Sequence, residues 1–170
     1  MLVVFGGLPG TGKTTLAREL AQELGATYVR IDTIEQVLHG SGALAGGVDD
    51  VGYRVAYALA ADNLRLGISV VADSVNPLKI TRDAWRAVAA DAGAKVIEIE
   101  VVCSDLVEHR RRVESRQSDI PGLSLPSWQD VLEREYEPWD RPHIVVDTAT
   151  TGVDEFMADL RTMIGADRLA

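Results

Sequence analysis

Short apolar runs alternate with longer amphipathic segments along the whole chain. Five runs rich in valine and isoleucine are typical of buried strands and cover residues 1–5, 27–31, 68–72, 95–102 and 143–146. After the first run, Leu16, Leu20 and Leu24 recur at helical spacing. Strands that alternate with helices predict an α/β fold of three layers, in which a five-stranded parallel sheet is flanked by helices on both faces.

The helical segments have recognisable ends. They are predicted to cover residues 15–24, 33–38, about 50–66, 77–91, 104 onwards through a group of arginines, about 127–137, and 153–164. Asp49 or Asp50 is expected to cap the third helix, whose core face would carry Val55, Leu59 and Leu66. Residues 39–47 are rich in glycine and show no period, which predicts a loop.

Several polar residues stand where the predicted strands end. Gly7, Asp32, Asp73, Cys103 and Asp147 each fall at or just after the carboxyl end of a strand. In a parallel sheet with right-handed crossovers these ends lie along one edge, and ligands bind there. The sequence therefore predicts that these positions converge on one site.

Composition limits the kinds of partner. The 170 residues predict a single domain over 1–170, and no apolar run reaches the roughly 18 residues of a membrane span. Met1 leads directly into the first strand, which indicates no signal peptide and a cytoplasmic protein. A net charge of −9 argues against a nucleic-acid partner. The only cysteine, Cys103, excludes an internal disulfide and is expected to be buried at a strand end.

One stretch carries the most specific signal. Residues 7–14 read Gly7-Leu8-Pro9-Gly10-Thr11-Gly12-Lys13-Thr14 and match the phosphate-binding motif G-x-x-x-x-G-K-[ST] at every fixed position, between a strand and a helix. Glycines and the helix N-terminus aim backbone amides at an anion, and Lys13 would neutralise β- and γ-phosphate charge. Thr14 would hold Mg²⁺. Nucleotide binding is predicted for the loop through Thr15.

Two aspartates are candidates for the chemistry. Asp32, after the second strand, is placed to accept the proton of an attacking hydroxyl; alternatively it is the N-cap of the next helix, with Glu35 at capping-box spacing. Asp73, after the third strand, would support Mg²⁺ from behind Thr14 or orient the acceptor; alternatively it begins a turn before Pro77. We favour Asp32 as the base.

The arginine-bearing helix is a candidate lid, which we place at residues 110–126. Arg112 and Arg116 share a helix face at i, i+4, and one or both would stabilise the transferred phosphoryl group. The alternative is surface ion pairs with Glu108 and Glu114. His109 is expected at the surface, and Trp128 or Tyr136 would pack in the core or line the acceptor pocket.

These features together resemble small P-loop kinases. The phosphate loop, Asp32, Asp73 and the arginine-bearing helix are similar to the group that includes the AAA_33 family, zeta toxins, chloramphenicol phosphotransferase, polynucleotide kinase domains and adenylylsulfate kinase. The resemblance implies ATP and Mg²⁺, a catalytic base at Asp32, and lid arginines near Arg112 and Arg116. Polynucleotide kinases often carry an arginine three residues after the base, where this chain has Glu35.

The expected activity is therefore phosphoryl transfer. The sequence predicts an ATP- and Mg²⁺-dependent kinase for a hydroxyl of a small metabolite or antibiotic. Two alternatives stay open, a polynucleotide 5′-hydroxyl or nucleotide-sugar kinase, and an ATP-binding regulator with little transfer activity. The sequence leaves the acceptor and the oligomeric state undetermined.

Overall fold

A parallel sheet of five strands organises the chain. The computed structural model describes residues 1–42 and 50–168, with side chains up to residue 163. The strands are β1 (Leu2–Gly6), β2 (Thr27–Arg30), β3 (Val70–Asp73), β4 (Val96–Val102) and β5 (Ile144–Asp147). They lie in the order β2-β3-β1-β4-β5, and every neighbouring pair is parallel. The predicted sheet is confirmed, with strand ends within a residue or two of the predicted ones.

Helices connect the strands and cover the sheet. They are α1 (Lys13–Leu24), α2 (Ile31–Ser41), α3 (Val51–Arg65), α4 (Lys79–Asp91), α5 (Leu106–Ser115), α6 (Trp128–Glu133) and α7 (Val153–Arg168). Asp105 caps α5 by accepting hydrogen bonds from the amides of Val107 and Glu108, and Ser127 forms a capping box with Asp130 at α6. None of the helices described in residues 1–42 and 50–168 is both long and apolar enough to cross a membrane.

The alternation of side chains along the central strand divides the core into two halves. Val3 and Phe5 of β1 point to the face that α1 and α7 cover, and Phe5 meets Phe156 of α7 edge-on at a centroid distance of 6.3 Å. Leu2 and Val4 point to the opposite face, which α3 and α4 cover. Because β1 is buried on both faces, it reads as a continuous apolar run rather than as an alternating one.

Mostly small residues form the buried face of α3. The face consists of Gly52, Ala56, Ala60 and Leu64. The prediction of Val55, Leu59 and Leu66 is wrong, because Val55 is only partly buried and the other two side chains are 47% and 76% exposed. Alanine and glycine let the helix backbone approach the sheet and α4 closely, and a pattern search that follows large apolar residues misses such a face.

The helix α2 extends further into the glycine-rich stretch than predicted. His39, Gly40 and Ser41 belong to α2, whose C-terminal cap is Gly42 in a left-handed conformation. The rest of the predicted loop and Asp49, the alternative cap of α3, fall in residues 43–49, which lie outside the described residues. Asp50 directly precedes α3 and makes no side-chain capping hydrogen bond.

Candidate active site

The phosphate loop joins β1 to α1, and three of its glycines have positive φ angles. Gly7, Gly10 and Gly12 have φ angles of 136°, 85° and 96°, in the region that glycine adopts at least cost. The amide of Gly7 donates to the carbonyl of Val75, and the Thr11 hydroxyl donates to the carbonyl of Leu8 at 2.9 Å. The amides of Lys13 and Thr14 at the start of α1 have no backbone acceptor among the described residues, so the loop presents donors to an anion.

Replacement of Gly7 by alanine is expected to destabilise the protein. A Cβ there would collide with the carbonyl oxygen of Val101, and the backbone would be strained as well. We expect a loss of about 3 kcal/mol in the free energy of unfolding, measured by urea denaturation. Gly25→Ala is the matched control, because Gly25 also has a positive φ but a Cβ there meets open space, so about 1 kcal/mol is expected. Equal losses would contradict this account.

A buried histidine supports the loop from α5. His109 is 5% exposed, and its Nε2 lies 2.8 Å from the carbonyl oxygen of Pro9. The ring of Trp128 packs edge-on against it at a centroid distance of 5.2 Å. The expectation that His109 lies at the surface is therefore wrong. Neighbouring arginines point to solvent, but His109 lies on the inner side of α5, next to the loop.

Lys13 is buried at the start of α1. The residue is 6% exposed, and its side chain lines the cavity described below. Burial is the largest cause that lowers the pKa of Lys13, while the negative charges of Asp73 and Asp32 oppose this shift. The positive charge of Arg116 lowers the pKa further. A buried ammonium group without a close counter-ion is a site prepared for an anionic ligand.

Asp73 lies behind Lys13, at the end of β3. It is 2% exposed and accepts a hydrogen bond of 2.7 Å from the hydroxyl of Tyr28. The Nε atom of Arg30 lies 3.8 Å from the same carboxylate oxygen, Oδ2. The other oxygen, Oδ1, is buried and has no hydrogen-bond partner among the described residues. A buried carboxylate oxygen without a partner indicates that another group, such as water or an ion, belongs beside it.

Asp32 lies inside the first turn of α2, so the alternative interpretation of Asp32 as the N-cap is wrong. The helix begins at Ile31, its N-cap is Arg30, and no side-chain capping hydrogen bond forms. The spacing that resembled a capping box instead puts Asp32 and Glu35 on one face of the helix, where both line the cavity. The Asp32 side chain is 39% exposed, and its Oδ2 lies 3.9 Å from Nε of Arg30.

A cavity of about 710 Å³ extends away from the phosphate loop. It begins at Pro9, Lys13 and Thr14, and passes Asp32 and Glu35. Its far walls come from three parts of the chain. The start of α3 contributes Asp50, Tyr53, Arg54 and Tyr57, and the segment that leads into α4 contributes Val75, Pro77, Leu78, Ile80, Thr81 and Ala84. The segments on either side of α6 contribute Leu123, Ser124, Leu125, Pro126 and Arg134. This volume is typical of pockets for small ligands. Trp128 and Tyr136 do not line it: Trp128 packs on His109, and the Tyr136 hydroxyl accepts from Trp139.

Glu35 is expected to make stability depend on pH. Burial, with the negative charge of Asp32 as the smaller cause, raises the pKa of Glu35 from 4.5 to about 7. The unfolded chain therefore releases this proton first, and stability falls as the pH rises from about 4.5 to about 7. Because the side chain is partly solvated, the cost above pH 7 is at most about 1–2 kcal/mol.

The corresponding measurement uses Glu35→Gln and its parent at several pH values. The variant should be more stable in urea at pH 8 and equally stable near pH 4. Asp62→Asn serves as the control, since Asp62 is exposed on α3 and no pH-dependent difference of this sign is expected. A Glu35→Gln variant that is less stable than its parent at pH 8 would show that the ionised carboxylate is stabilised.

The two lid arginines, Arg112 and Arg116, contact different parts of the site. The prediction that they share a helix face is therefore wrong. The helix α5 ends at Ser115, and Arg116 has an extended backbone after it. Arg116 lines the cavity, and its Nε is buried without a hydrogen-bond partner in the described part of the chain. Arg112 instead donates to the side-chain and backbone oxygens of Thr148, at 2.8 and 3.1 Å, and pairs with Glu108. Thr148 in turn donates to the carbonyl of Thr11 in the phosphate loop.

The other two arginines of the cluster agree with the alternative interpretation. Arg110 pairs with Glu114, and Arg111 pairs with Glu108, on the exposed side of α5. Surface pairs of this kind add little to stability. Only Arg116, of the four arginines in this region, lines the cavity.

Comparison with known protein families shows to which family the chain belongs. The profile of the AAA_33 family, described as an AAA domain, matches residues 2–134. This chain belongs to the AAA_33 family. The match covers the phosphate loop, Asp32, Asp73 and α5, and it confirms the resemblance on which the sequence analysis relied. The match ends at Arg134, before β5 and α7.

Individual relatives agree with this assignment. A protein of Aeropyrum pernix named "probable adenylyl-sulfate kinase" is 29% identical over an alignment of 182 residues. The alignment covers 98% of this chain and 93% of the relative. An uncharacterized protein of Mycobacterium tuberculosis is 34% identical over 161 residues, which cover 87% of this chain but only 32% of the relative. This AAA_33 chain therefore corresponds to about a third of that longer protein.

Solved structures show the same fold. The APS kinase of Mycobacterium tuberculosis, solved in complex with AMPPNP and APS, superimposes with a TM-score of 0.70, 19% identity, and coverage of 96% of each chain. At this identity the similarity is one of fold. It confirms the P-loop NTPase architecture that the alternation of strands and helices predicts.

Some residues of the site escaped sequence reasoning. Arg30 and Tyr28 stand on β2, and both approach Asp73. A signal was present, because Arg30 is the last residue of a strand at the ligand-binding edge. Arg54 and Arg134 gave no signal, since α3 and the end of α6 face the cavity only in the folded chain.

Proposed function

We propose that this AAA_33 protein is an ATP- and Mg²⁺-dependent kinase that phosphorylates a hydroxyl group of a small molecule. The observation that carries the proposal is the continuous cavity of about 710 Å³, which starts at Lys13 and Thr14 and continues past Asp32. A nucleotide on the phosphate loop would present its γ-phosphoryl group to this space. The names of relatives, a probable adenylyl-sulfate kinase and an APS kinase bound to AMPPNP, support nucleotide-dependent transfer.

The phosphate loop would hold the nucleotide. Backbone amides of the loop, including those of Gly12, Lys13 and Thr14, would bind the phosphate oxygens, and Lys13 would neutralise charge that increases on the β–γ bridge during transfer. The pKa of Lys13 is lowered by burial, and phosphate would return it to its ordinary range. The turn at Thr148, which abuts the loop through Thr11, would lie on the nucleotide side of the site.

The residues next to Lys13 fit a magnesium ion. Thr14 provides a hydroxyl at the start of α1, and Asp73 has a buried oxygen, Oδ1, for which the described part of the chain offers no hydrogen-bond partner. Within residues 1–42 and 50–168, no three acidic, histidine or cysteine side chains form a ready-made metal centre. An ion held by one hydroxyl, phosphate oxygens and water, with a carboxylate behind the water, suits this donor set. The ion would supply charge neutralisation on the β- and γ-phosphates.

Asp32 would act on the acceptor. The hydroxyl oxygen of the acceptor forms a bond to the γ-phosphorus, the bond between that phosphorus and the β–γ bridging oxygen breaks, and ADP leaves with the electron pair. The hydroxyl proton goes to the carboxylate of Asp32. Asp32 suits this role better than Asp73, since it lines the cavity and Asp73 is buried behind it.

Arg116 would stabilise the group in transfer. It lines the cavity, it contributes to lowering the pKa of Lys13, and its Nε has no hydrogen-bond partner within residues 1–42 and 50–163. A guanidinium group in this position can bind two oxygens of the transferred phosphoryl group. Arg112, held at Thr148 and Glu108, would position the nucleotide side of the site instead.

The experiment measures nucleotide binding first and transfer second. Calorimetry with AMPPNP should show binding that strengthens with Mg²⁺, and labelled ATP should then pass phosphate to at least one alcohol in a panel of small metabolites and antibiotics. Failure of the folded protein to bind any nucleoside triphosphate would refute the proposal. Transfer only to 5′-hydroxyl oligonucleotides would identify a polynucleotide kinase, and binding with no transfer to any acceptor would identify a regulator.

A further inference from the structure

Unpaired arginines mark one part of the molecule. Ten of the arginines whose side chains are described in residues 1–42 and 50–163 have a carboxylate oxygen within 4.0 Å. The three without such a partner in that part of the chain are Arg54, Arg116 and Arg134. All three line the cavity described above. Among the described residues, arginines without a carboxylate partner occur only in this cavity, which indicates a ligand that supplies the negative charge.

The charge of the cavity is opposite to the charge of the chain. The whole sequence has 17 lysines and arginines against 26 acidic residues. Among the described residues that line the cavity, cations outnumber acids, namely Lys13, Arg30, Arg54, Arg116 and Arg134 against Asp32, Glu35 and Asp50. A cationic cleft in an acidic protein attracts anions locally while the outer surface repels polyanions. The cavity therefore favours a small anion over a nucleic acid.

The nucleotide accounts for only part of this positive charge. Lys13 and Arg116 would bind the phosphates in transfer. Arg30 is held by Asp119, with both carboxylate oxygens 2.9 Å from its Nη1 atom. Arg54 on α3 and Arg134 directly after α6 stay without a partner among the described residues. Arg54 and Arg134 belong to two of the elements that form the far walls of the cavity, and the acceptor would occupy that end.

We propose that the acceptor is an alcohol that also carries an anionic group, and that Arg54 and Arg134 bind this group. The proposal rests on the proposed function, because it specifies the substrate class of the same site. Phosphate, sulfate and carboxylate share the required chemistry, which is two or more oxygens that accept hydrogen bonds from guanidinium groups. The apolar side chains of Leu78, Ile80 and Leu123 would contact the carbon skeleton between the hydroxyl and the anion.

The acidic residues that line the cavity are compatible with a bound anion. Asp32 faces the reacting hydroxyl, and Asp50 stands at the start of α3. Glu35 packs against Gly52 of α3, and the positive charge of Arg134 acts on it. Because the pKa of Glu35 is about 7, part of its population is neutral near neutral pH. A neutral Glu35 would add a hydrogen-bond donor rather than a repelling charge.

The first arm of the test compares matched acceptors. Transfer from labelled ATP is measured to glycerol and glycerol 3-phosphate, to glucose, gluconate and glucose 6-phosphate, and to adenosine, AMP and adenylyl sulfate. An anionic member should have a kcat/KM about tenfold or more above that of its neutral counterpart, and Arg54→Ala or Arg134→Ala should remove this preference while AMPPNP still binds. Arg65→Ala is the control on the same helix, because Arg65 pairs with Asp62 outside the cavity. Preferred transfer to neutral alcohols would refute the anionic acceptor and leave the kinase proposal intact.

The second arm needs no acceptor. The protein, saturated with AMPPNP and Mg²⁺, is titrated with sodium sulfate against sodium chloride at equal ionic strength, and the melting temperature is followed. Sulfate should give a saturable increase that disappears in the Arg54→Ala/Arg134→Ala double variant and persists in Arg65→Ala. No saturable increase in the parent protein would refute the anion site. If sulfate binds this way but no acceptor is phosphorylated, the anion site stands and the kinase proposal fails.

Discussion

Replacement of Lys13 by methionine is expected to abolish nucleotide-dependent activity without unfolding the protein. Lys13 is 6% exposed, and burial lowers its pKa, so the folded protein pays to keep the ammonium group charged. Methionine has a similar length and no charge, and it removes that desolvation cost. The stability of the nucleotide-free variant at pH 7 should therefore be no lower than that of the parent.

Phosphoryl transfer and nucleotide binding, unlike stability, should decrease in the Lys13→Met variant. Without the ammonium group, the side chain proposed to neutralise the charge on the β–γ bridge would be lost, and transfer should fall by about 100- to 1,000-fold. The stabilisation that AMPPNP and Mg²⁺ give to the parent should also disappear. The measurements are urea denaturation of the free proteins, calorimetry with AMPPNP, and labelled-phosphate transfer.

The matched control is Lys95→Met. Lys95 stands just before β4, at the opposite edge of the sheet, where its backbone carbonyl accepts from the amide of Leu2. This variant should bind AMPPNP and transfer phosphate as the parent does. A Lys13→Met protein that is clearly less stable when free would show that Lys13 has a structural role. One that binds nucleotide with unchanged affinity would place the nucleotide elsewhere.

The sequence allowed the ligand-binding edge to be predicted because local rules determine it. Five β-branched runs fix the strands, and parallel topology then puts the ends of β1, β2 and β3 side by side. Gly7, Asp32 and Asp73 lie at those ends as expected. The phosphate loop needs only glycines at three positive φ angles and a following helix, which the motif specifies directly.

Long-range packing determines what the sequence did not predict. The face of α3 follows Ala56 and Ala60 rather than the larger Leu59, because the close approach of the helix to the sheet selects small side chains. The inward position of His109 depends on how α5 docks against the phosphate loop. The cavity is formed by segments that are more than a hundred residues apart in sequence, such as those of Lys13 and Arg134, so no local pattern could assemble it.

The arginines show how burial, rather than residue type, separates roles within one cluster. Arg110 and Arg111 have carboxylates beside them and face solvent, so they need no ligand. Arg116 differs only by its position after the last turn of α5, where the extended backbone directs it into the cavity. The end of α5 at Ser115 therefore separates Arg116, which lines the cavity, from the arginines that pair with glutamates on the helix.

Replacement of Asp32 by asparagine is expected to stop transfer and to leave nucleotide binding intact. Asparagine keeps the shape of the side chain but cannot accept the hydroxyl proton, and loss of a general base lowers kcat by about 100- to 10,000-fold. Asp32 is 39% exposed and lies 3.9 Å from Nε of Arg30 at its nearest contact, so little stability should be lost. The affinity for AMPPNP should change by no more than about twofold, because the carboxylate acts on the acceptor.

A parallel Asp73→Asn variant separates the two aspartates. Asp73 would support the magnesium ion, so its loss should raise the Mg²⁺ concentration needed for AMPPNP binding, whereas Asp32→Asn should leave that concentration unchanged. The pH profile of kcat/KM adds a second criterion, since only the loss of the base removes the fall in rate at acidic pH. Asp62→Asn, on the exposed side of α3, should change neither property. If Asp73→Asn instead removes the acidic limb with Mg²⁺ dependence unchanged, the base is Asp73, and Asp32 serves only to orient the acceptor.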